Sequence, residues 1–433
     1  MKRRTFFRSL LAPAVGAASG FHLPLANAAD YDGKLFIFVQ AKGGWDPTSF
    51  CDPKTNTPGE KVINHWAENG ETQQAGNLFY ADFANNTAFF EKYYDRMLVI
   101  NGVDAQTNSH TTGVIHNWSG RVSEGYPSMT ALLAAQYGPE LSLAYLTFGG
   151  FSDPAGLITY TRMDRPELIS NVAVPNRPRW SDSGRFLHSA DWERFQTFRA
   201  ANIARLAGDP HLLPRAARNR GLYARALSSE ATEGLRAYAS LIPPRDELDQ
   251  LEGFQGEFNS IENQLRRQAL FTILAFKAKV AVSADLLKGG FDTHFNHDLQ
   301  YTSLLGNLTD SVDFLWDFAE THEVADRLVV VMGSDFGRTN HYNVDNGKDH
   351  WPIGSFIVME KNQTWTNQVV GETDALHFAH KIHPETLQRD DANGTIIHPK
   401  HVHKALRRYF RIEDSLGAQK FPFRNTEDFA FFE

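Results

Sequence analysis

A chain of 433 residues that is 42% hydrophobic and 12% aromatic can build a large core, and its length allows two or three domains. With 51 acidic against 43 basic side chains it carries a formal charge of −8, which argues against nucleic acid as a partner. The single cysteine, Cys51, excludes an internal disulfide, so stability must come from the core or from bound metal.

Residues 1–28 read as a processing segment. Arg3-Arg4 precede a weakly apolar stretch from Ser9 to Gly20, and Ala26-Asn27-Ala28 is a small-residue cleavage site. Pro13, Gly16 and Gly20 interrupt the run, which disfavours an ordinary first helix. The pattern predicts a twin-arginine signal cut after Ala28, hence export of folded protein by the twin-arginine machinery to the periplasm or beyond. Cleavage removes Lys2, Arg3, Arg4 and Arg8 and no acid, taking the charge to −12. No later stretch approaches the ~18–20 continuous apolar residues of a membrane span.

In the mature chain the first predicted strand is Lys34–Gln40, which runs into Gly43-Gly44-Trp45-Asp46 and so places an acid just past a strand end. A turn-rich connection, a helix over Asn86–Tyr94 and a second strand over Met97–Asn101 follow. Ser109 or Thr111 then heads a helix carrying His116 and Trp118, with His110 at its start. Such a helix terminus beside a sheet edge favours anions, although Ser and Thr are also ordinary caps. A helix over Tyr126–Tyr137 and a strand over Leu141–Thr147 come next.

From about Asn171 the texture changes to a Pro-containing joint, and Asp191–Gln268 is mostly helical by period with Arg-rich, solvated faces. This predicts a helical insertion at about 182–270 within one α/β domain spanning 29–433. An apolar strand over Val280–Ala284 leads to Gly289-Gly290-Phe291-Asp292-Thr293-His294. Asp292 and His294 lie two apart, on one side of an extended segment, as chelation of one ion requires. Residues 302–320 form an amphipathic helix whose Leu304, Leu305, Leu308, Val312 and Leu315 are core. It delivers the chain to Leu328–Met332, a β-branched run suited to a doubly covered parallel strand, with a right-handed crossover. Asp335 emerges at that strand's carboxyl end, where open α/β sheets bind ligands, and Asp349-His350 returns on a Gly/Asn/Asp-rich loop. Acid and imidazole together are the ligands a divalent ion takes. A strand over Gly354–Met359 follows. The late histidines, among them His377, His401 and His403, fall partly on an amphipathic helix and are not read as ligands.

The set GGWD (43–46), Ser109-His110, GGFDTH with Gln300, SDFGRT (334–339), GKDHW (347–351) and VGETD (370–374) resembles DUF1501, a bacterial family of exported proteins that looks like a branch of the alkaline-phosphatase-like (sulfatase-like) superfamily. The resemblance implies a doubly wound, mostly parallel sheet with one or two divalent ions (Zn, Mn, Ca or Mg) at its carboxyl edge. Asp46, Asp292, His294, Asp335 and His350 match that pattern's ligand positions. Two positions depart from it: Phe336 stands where many members carry a further histidine, and no nucleophile motif follows the second strand, leaving Ser109, Thr111 and Thr112 as candidates.

These residues describe a metal-dependent hydrolase of a phosphate or sulfate ester, acting on a small anionic substrate or an anionic polymer. The ligands would polarise the anion, Arg338 would reach an oxyanion with its guanidinium fork, and His110 would be a further ligand or the general acid. The alternative is an exported binding or assembly protein that retains the fold and a structural metal without catalysis.

Overall fold

The computed structural model describes residues 31–163, 169–177, 184–207, 211–254 and 256–433. The predicted export signal at residues 1–28 and part of the joint near Trp180 lie outside them.

An eight-stranded sheet forms the centre. Its strands are β1 (Leu35–Ala41), β2 (Met97–Asp104), β3 (Tyr145–Thr147), β4 (Thr161–Arg162), β5 (Ser283–Lys288), β6 (Leu328–Ser334), β7 (Ile353–Met359) and β8 (Gln368–Val370). Their order is β8-β2-β7-β6-β1-β5-β3-β4. β1 lies parallel to both neighbours, with Ile37 opposite Val330 of β6 and Ala284 of β5. Only β7 runs antiparallel, between β2 and β6. The architecture is therefore α/β with a mostly parallel mixed sheet.

The apolar runs are continuous because both faces are covered. Leu35, Ile37, Val39, Leu328, Val330 and Met332 point to one side. There they pack with Phe271 and Leu274 of α3 (Gln264–Lys277) and with Leu305 and Leu308 of α4 (His297–Thr321). The alternate residues Phe36, Phe38, Val329 and Val331 meet Trp118 of α1 (His110–Ser119), Leu132 and Leu133 of α2 (Met129–Tyr137), and Val402 and Leu406 of α5 (Pro399–Tyr409). At roughly 1.5–3 kcal/mol per fully buried large side chain, this double layer fixes strand register.

The predicted strand at Val280–Ala284 begins later, at Ser283, and reaches Lys288. Asp285 interrupts its apolar pattern; buried, it accepts hydrogen bonds from Trp118 Nε1 at 2.9 Å and from the Tyr145 hydroxyl. The helical stretch contains Ser189–Ala207, Pro214–Ala226 and Ser229–Leu241. α3, which the predicted boundary of 270 cut through, is instead a core helix with Leu270, Ile273 and Leu274 fully buried. Among the described residues no helix is long and apolar enough to cross a membrane.

Candidate metal centre

Four loops meet at the carboxyl ends of β1, β5 and β6 and at the start of α1. Their close approach depends on glycines. Gly43, at φ +122°, lies so near the Asp292 backbone that a Cβ would stand 2.5 Å from its nitrogen. A Cβ on Gly113 of α1 would stand 2.6 Å from the Asp335 carbonyl oxygen. The loop after β6 folds back on the loop after β5: Lys348 N–H donates to Thr293 O at 3.1 Å and Asn343 Nδ2 to His294 O at 2.9 Å.

The result is a cluster of three imidazoles around one carboxylate. His110, Asp292 and His350 present ligand atoms within 4.8 Å of one another, a group that could hold a metal ion. His294 joins them, its Nε2 being 2.9 Å from Asp292 Oδ1 and 3.0 Å from His350 Nε2. Every ring is oriented through its other nitrogen. His110 Nδ1 lies 2.8 Å from Asp335 Oδ2, His294 Nδ1 2.8 Å from Asp349 Oδ1, and His350 Nδ1 2.8 Å from Asn108 O. Each of these partners accepts only, so each Nδ1 carries a hydrogen and each Nε2 is turned toward Asp292.

That arrangement passes a direct test of fit. His110 Nε2 is buried without a hydrogen-bond partner, 3.2 Å from Asp292 Oδ2. Nε2 of His294 and Nε2 of His350 stand 3.0 Å apart, a separation that two lone pairs do not tolerate without a proton or a cation between them. Imidazoles whose outer N–H groups are held by carboxylates or carbonyls are the usual ligands of Zn and similar ions.

Electrostatics agree with an ionised site. The hydrogen bond that His110 donates to Asp335 raises the His110 pKa against the opposing effect of burial. Burial would push the Asp292 carboxyl up, but hydrogen bonds from Arg338 and His350 and the Arg338 charge outweigh it and hold it well below the usual carboxylate range. The hydrogen bond from His294 lowers Asp349. Asp292 keeps 46% of its side chain exposed, so the cluster opens to solvent.

The sequence-derived residues distribute unequally over this geometry. Asp292, His294 and His350 come together, with His110 beside them. Asp335 stands behind His110 as its orienting partner; its fully buried carboxylate is occupied by His110, Gly43 N–H at 3.2 Å and Gln40 Nε2 at 3.1 Å. Asp46 is not brought to the cluster. It is fully buried and held by Lys348 Nζ at 2.6 Å, the Thr48 and Ser49 hydroxyls and the Thr48 N–H. Burial opposes its ionisation, but the Lys348 charge and His297 drive its pKa well below normal.

Arg338, expected to reach a substrate, has no exposed side-chain surface. Its guanidinium is spent on Gly44 O at 2.8 Å, Lys348 O at 3.0 Å, Gly43 O and Asp292 Oδ1 at 2.7 Å, so it supports Asp292 from below. Thr111 is exposed and Thr112 half-buried in the first turn of α1, and among the described residues no hydrogen bond joins either hydroxyl to the cluster. The sequence reading missed Lys348 and the orienting role of Asp349, although both lie inside the GKDHW motif.

Fold and cluster together define a doubly wound α/β protein with a His/Asp group that could hold a metal ion at the carboxyl edge of its sheet. Residues 209–418 match the model of DUF1501, described as "Protein of unknown function". No curated protein matches the sequence.

Solved structures to which the chain is similar include the lipoteichoic acid synthase LtaP from Listeria monocytogenes, at 10% identity, TM-score 0.37, over 93% of this chain and 75% of that one. The PsFucS1 sulfatase from Pseudoalteromonas sp. is similar at 10% identity, TM-score 0.38, over 87% and 67%. A sulfatase from a glycosaminoglycan locus of Bacteroides thetaiotaomicron is similar at 9% identity, TM-score 0.39, over 92% and 81%.

Proposed function

We propose that this protein is an exported, metal-dependent hydrolase of a phosphate or sulfate ester. The observation that carries the reading is the convergence of three oriented imidazole Nε2 atoms on the Asp292 carboxylate at a solvent-facing sheet edge. His110, Asp292, His294 and His350 would hold the ion. A divalent ion there supplies Lewis acidity toward an ester oxygen and toward water.

The remaining roles belong to the chain itself. Asp335, Asp349 and the Asn108 carbonyl accept from Nδ1 of the three rings and so orient them, leaving Nε2 as the atom each would offer an ion. Arg338 fixes Asp292 and keeps it ionised. The first turn of α1, where Thr111 and Thr112 lie, offers N–H groups without intrahelical acceptors to an incoming anion. That surface suits a small anionic ester or an anionic polymer. We assign export to the twin-arginine route and location to the periplasm or exterior on the Arg3-Arg4 and Ala26-Asn27-Ala28 pattern.

The test is metal analysis of purified protein together with turnover of a panel of phosphate, phosphonate and sulfate esters. Stoichiometric metal with ester cleavage, both lost in His350→Ala, supports the reading. A second reading, a binding or assembly protein that keeps the metal without chemistry, is favoured by the engagement of all three Arg338 guanidinium nitrogens and by the lack, among the described residues, of a hydrogen bond from the Thr111 or Thr112 hydroxyl to the cluster. Stoichiometric metal without turnover on the whole panel would establish it instead.

A further inference from the structure

Beneath the cluster lies a second polar site. Asp46, Thr48, Ser49, Asn64, His297 and Lys348 are all essentially inaccessible to solvent. The Lys348 ammonium sits among three oxygens: Asp46 Oδ2 at 2.6 Å, Asn64 Oδ1 at 2.8 Å and Thr48 Oγ1 at 3.2 Å. Three N–H donors thus meet three acceptors, and the Tyr342 ring lies 5.1 Å from Nζ. The Asn64 orientation is fixed, because its Nδ2 donates to Lys54 O at 2.8 Å, so the carbonyl oxygen must face the ammonium. Ser49 Oγ supports both Asp46 and Asn64, at 3.1 and 2.9 Å. Asp46 and Thr48 belong to the turn that follows β1 and Asn64 to the connection after it, whereas the cation arrives on a loop 302 positions after Asp46.

We propose that this oxygen cage is a monovalent-cation site filled from within, the Lys348 ammonium being its resident cation. One carboxylate and two neutral oxygens balance a single positive charge; a divalent ion in the same dry cage would leave one charge uncompensated, which is costly. The cage therefore takes no second metal, and the protein binds one divalent ion, at Asp292. Lys348 is also a positioning residue. It immediately precedes Asp349 and His350, so seating its ammonium sets the loop that delivers both to the cluster. Only the count of one ion rests on the metal-centre reading; the cage does not.

The test is chemical rescue. Lys348→Ala, which lacks the ammonium and most of its stem, should melt at lower temperature and bind a divalent ion at the Asp292 centre about tenfold or more weakly, as losses of supporting contacts do. Ethylammonium, and to a lesser degree potassium, should recover most of both losses. Tetramethylammonium, too large and without N–H donors, should not. Adding Asp46→Asn should abolish the rescue. If Lys348→Ala does not stay folded in plain buffer, refolding yield with and without ethylammonium gives the same reading.

Indifference of the variant to ethylammonium, or an amine effect equal to that of tetramethylammonium, would overturn the cage proposal. So would two divalent ions per wild-type chain with the second lost in Asp46→Asn. A wild type that binds no divalent ion, with a variant that ethylammonium still rescues, would sink the metal-centre reading and uphold the cage.

Discussion

Binding of a divalent ion at the cluster should expel protons, and the amount follows from the hydrogen bonds. His350 Nδ1 can only donate to the Asn108 carbonyl, and His294 Nδ1 donates to Asp349, whose carboxyl that same bond keeps ionised. Both Nε2 atoms therefore carry lone pairs in the neutral rings, yet they stand 3.0 Å apart. Without metal, one proton must sit between them. His110 adds to this, because Asp335 raises its pKa, so it too is increasingly protonated as the pH falls. The metal has to displace these protons.

At least one proton should be released per ion. Because the ion competes with protons for the cluster imidazoles, apparent affinity should weaken as the pH is lowered. Calorimetric titration of the metal-free protein in two buffers of different ionisation enthalpy counts the protons directly. In His294→Gln the facing pair is gone, and the release should fall by about one. An affinity independent of pH, with no proton released, would refute the cluster's character as a metal centre.

Asp335→Ala removes the acceptor that fixes the His110 ring and should weaken metal binding about 10- to 100-fold. Because Gly43 N–H then loses its partner, about 1–3 kcal/mol of stability should go with it, read as a lower midpoint in denaturant titration. Gly347→Ala places a Cβ 1.9 Å from the His294 backbone, so the loops must part, and both Tm and metal affinity should fall.

Acid should destabilise the fold from about pH 6.5 downward. Burial lowers the pKa of His116 and His377 to about 4 and of His403 to about 3. These groups bind protons in the unfolded chain before they do so in the folded one. Their contribution is therefore complete above the unfolded value and is lost as pH falls toward the folded one, at up to about 3 kcal/mol each near pH 4. Unfolding titrations from about pH 7 to about pH 4 check this; a flat profile would contradict the burial of those rings.

Much of the frame was legible in the chain because its signals are local. The β-branched run at Leu328–Met332 needs cover on both faces, and the stripe from Leu304 to Leu315 needs a sheet beneath it; both are found so. Asp292 and His294 were legible together because a spacing of two after a glycine turn constrains direction. Asp46 and Asp335 both stand at strand tips, as residue type and position implied, but neither points an unoccupied carboxylate at the cluster. What separates them from Asp292 is a partner supplied from afar: Lys348 for Asp46, and His110 for Asp335 across 225 positions. Such pairings depend on how two loops cross, which no local pattern encodes. Arg338 was misread for the same reason, since its destination is two glycine carbonyls near β1 that only the folded turn at Gly43-Gly44 exposes.

The most direct measurement is anomalous scattering from crystals of the protein purified without chelator, collected at the absorption edge of whichever metal elemental analysis finds. The account predicts a single peak per chain, bonded to Nε2 of His110, His294 and His350 and to the Asp292 carboxylate, with the Asp46 cage still holding the Lys348 ammonium. No peak at the cluster after metal loading, or a peak seated on Asp46 instead, would contradict it.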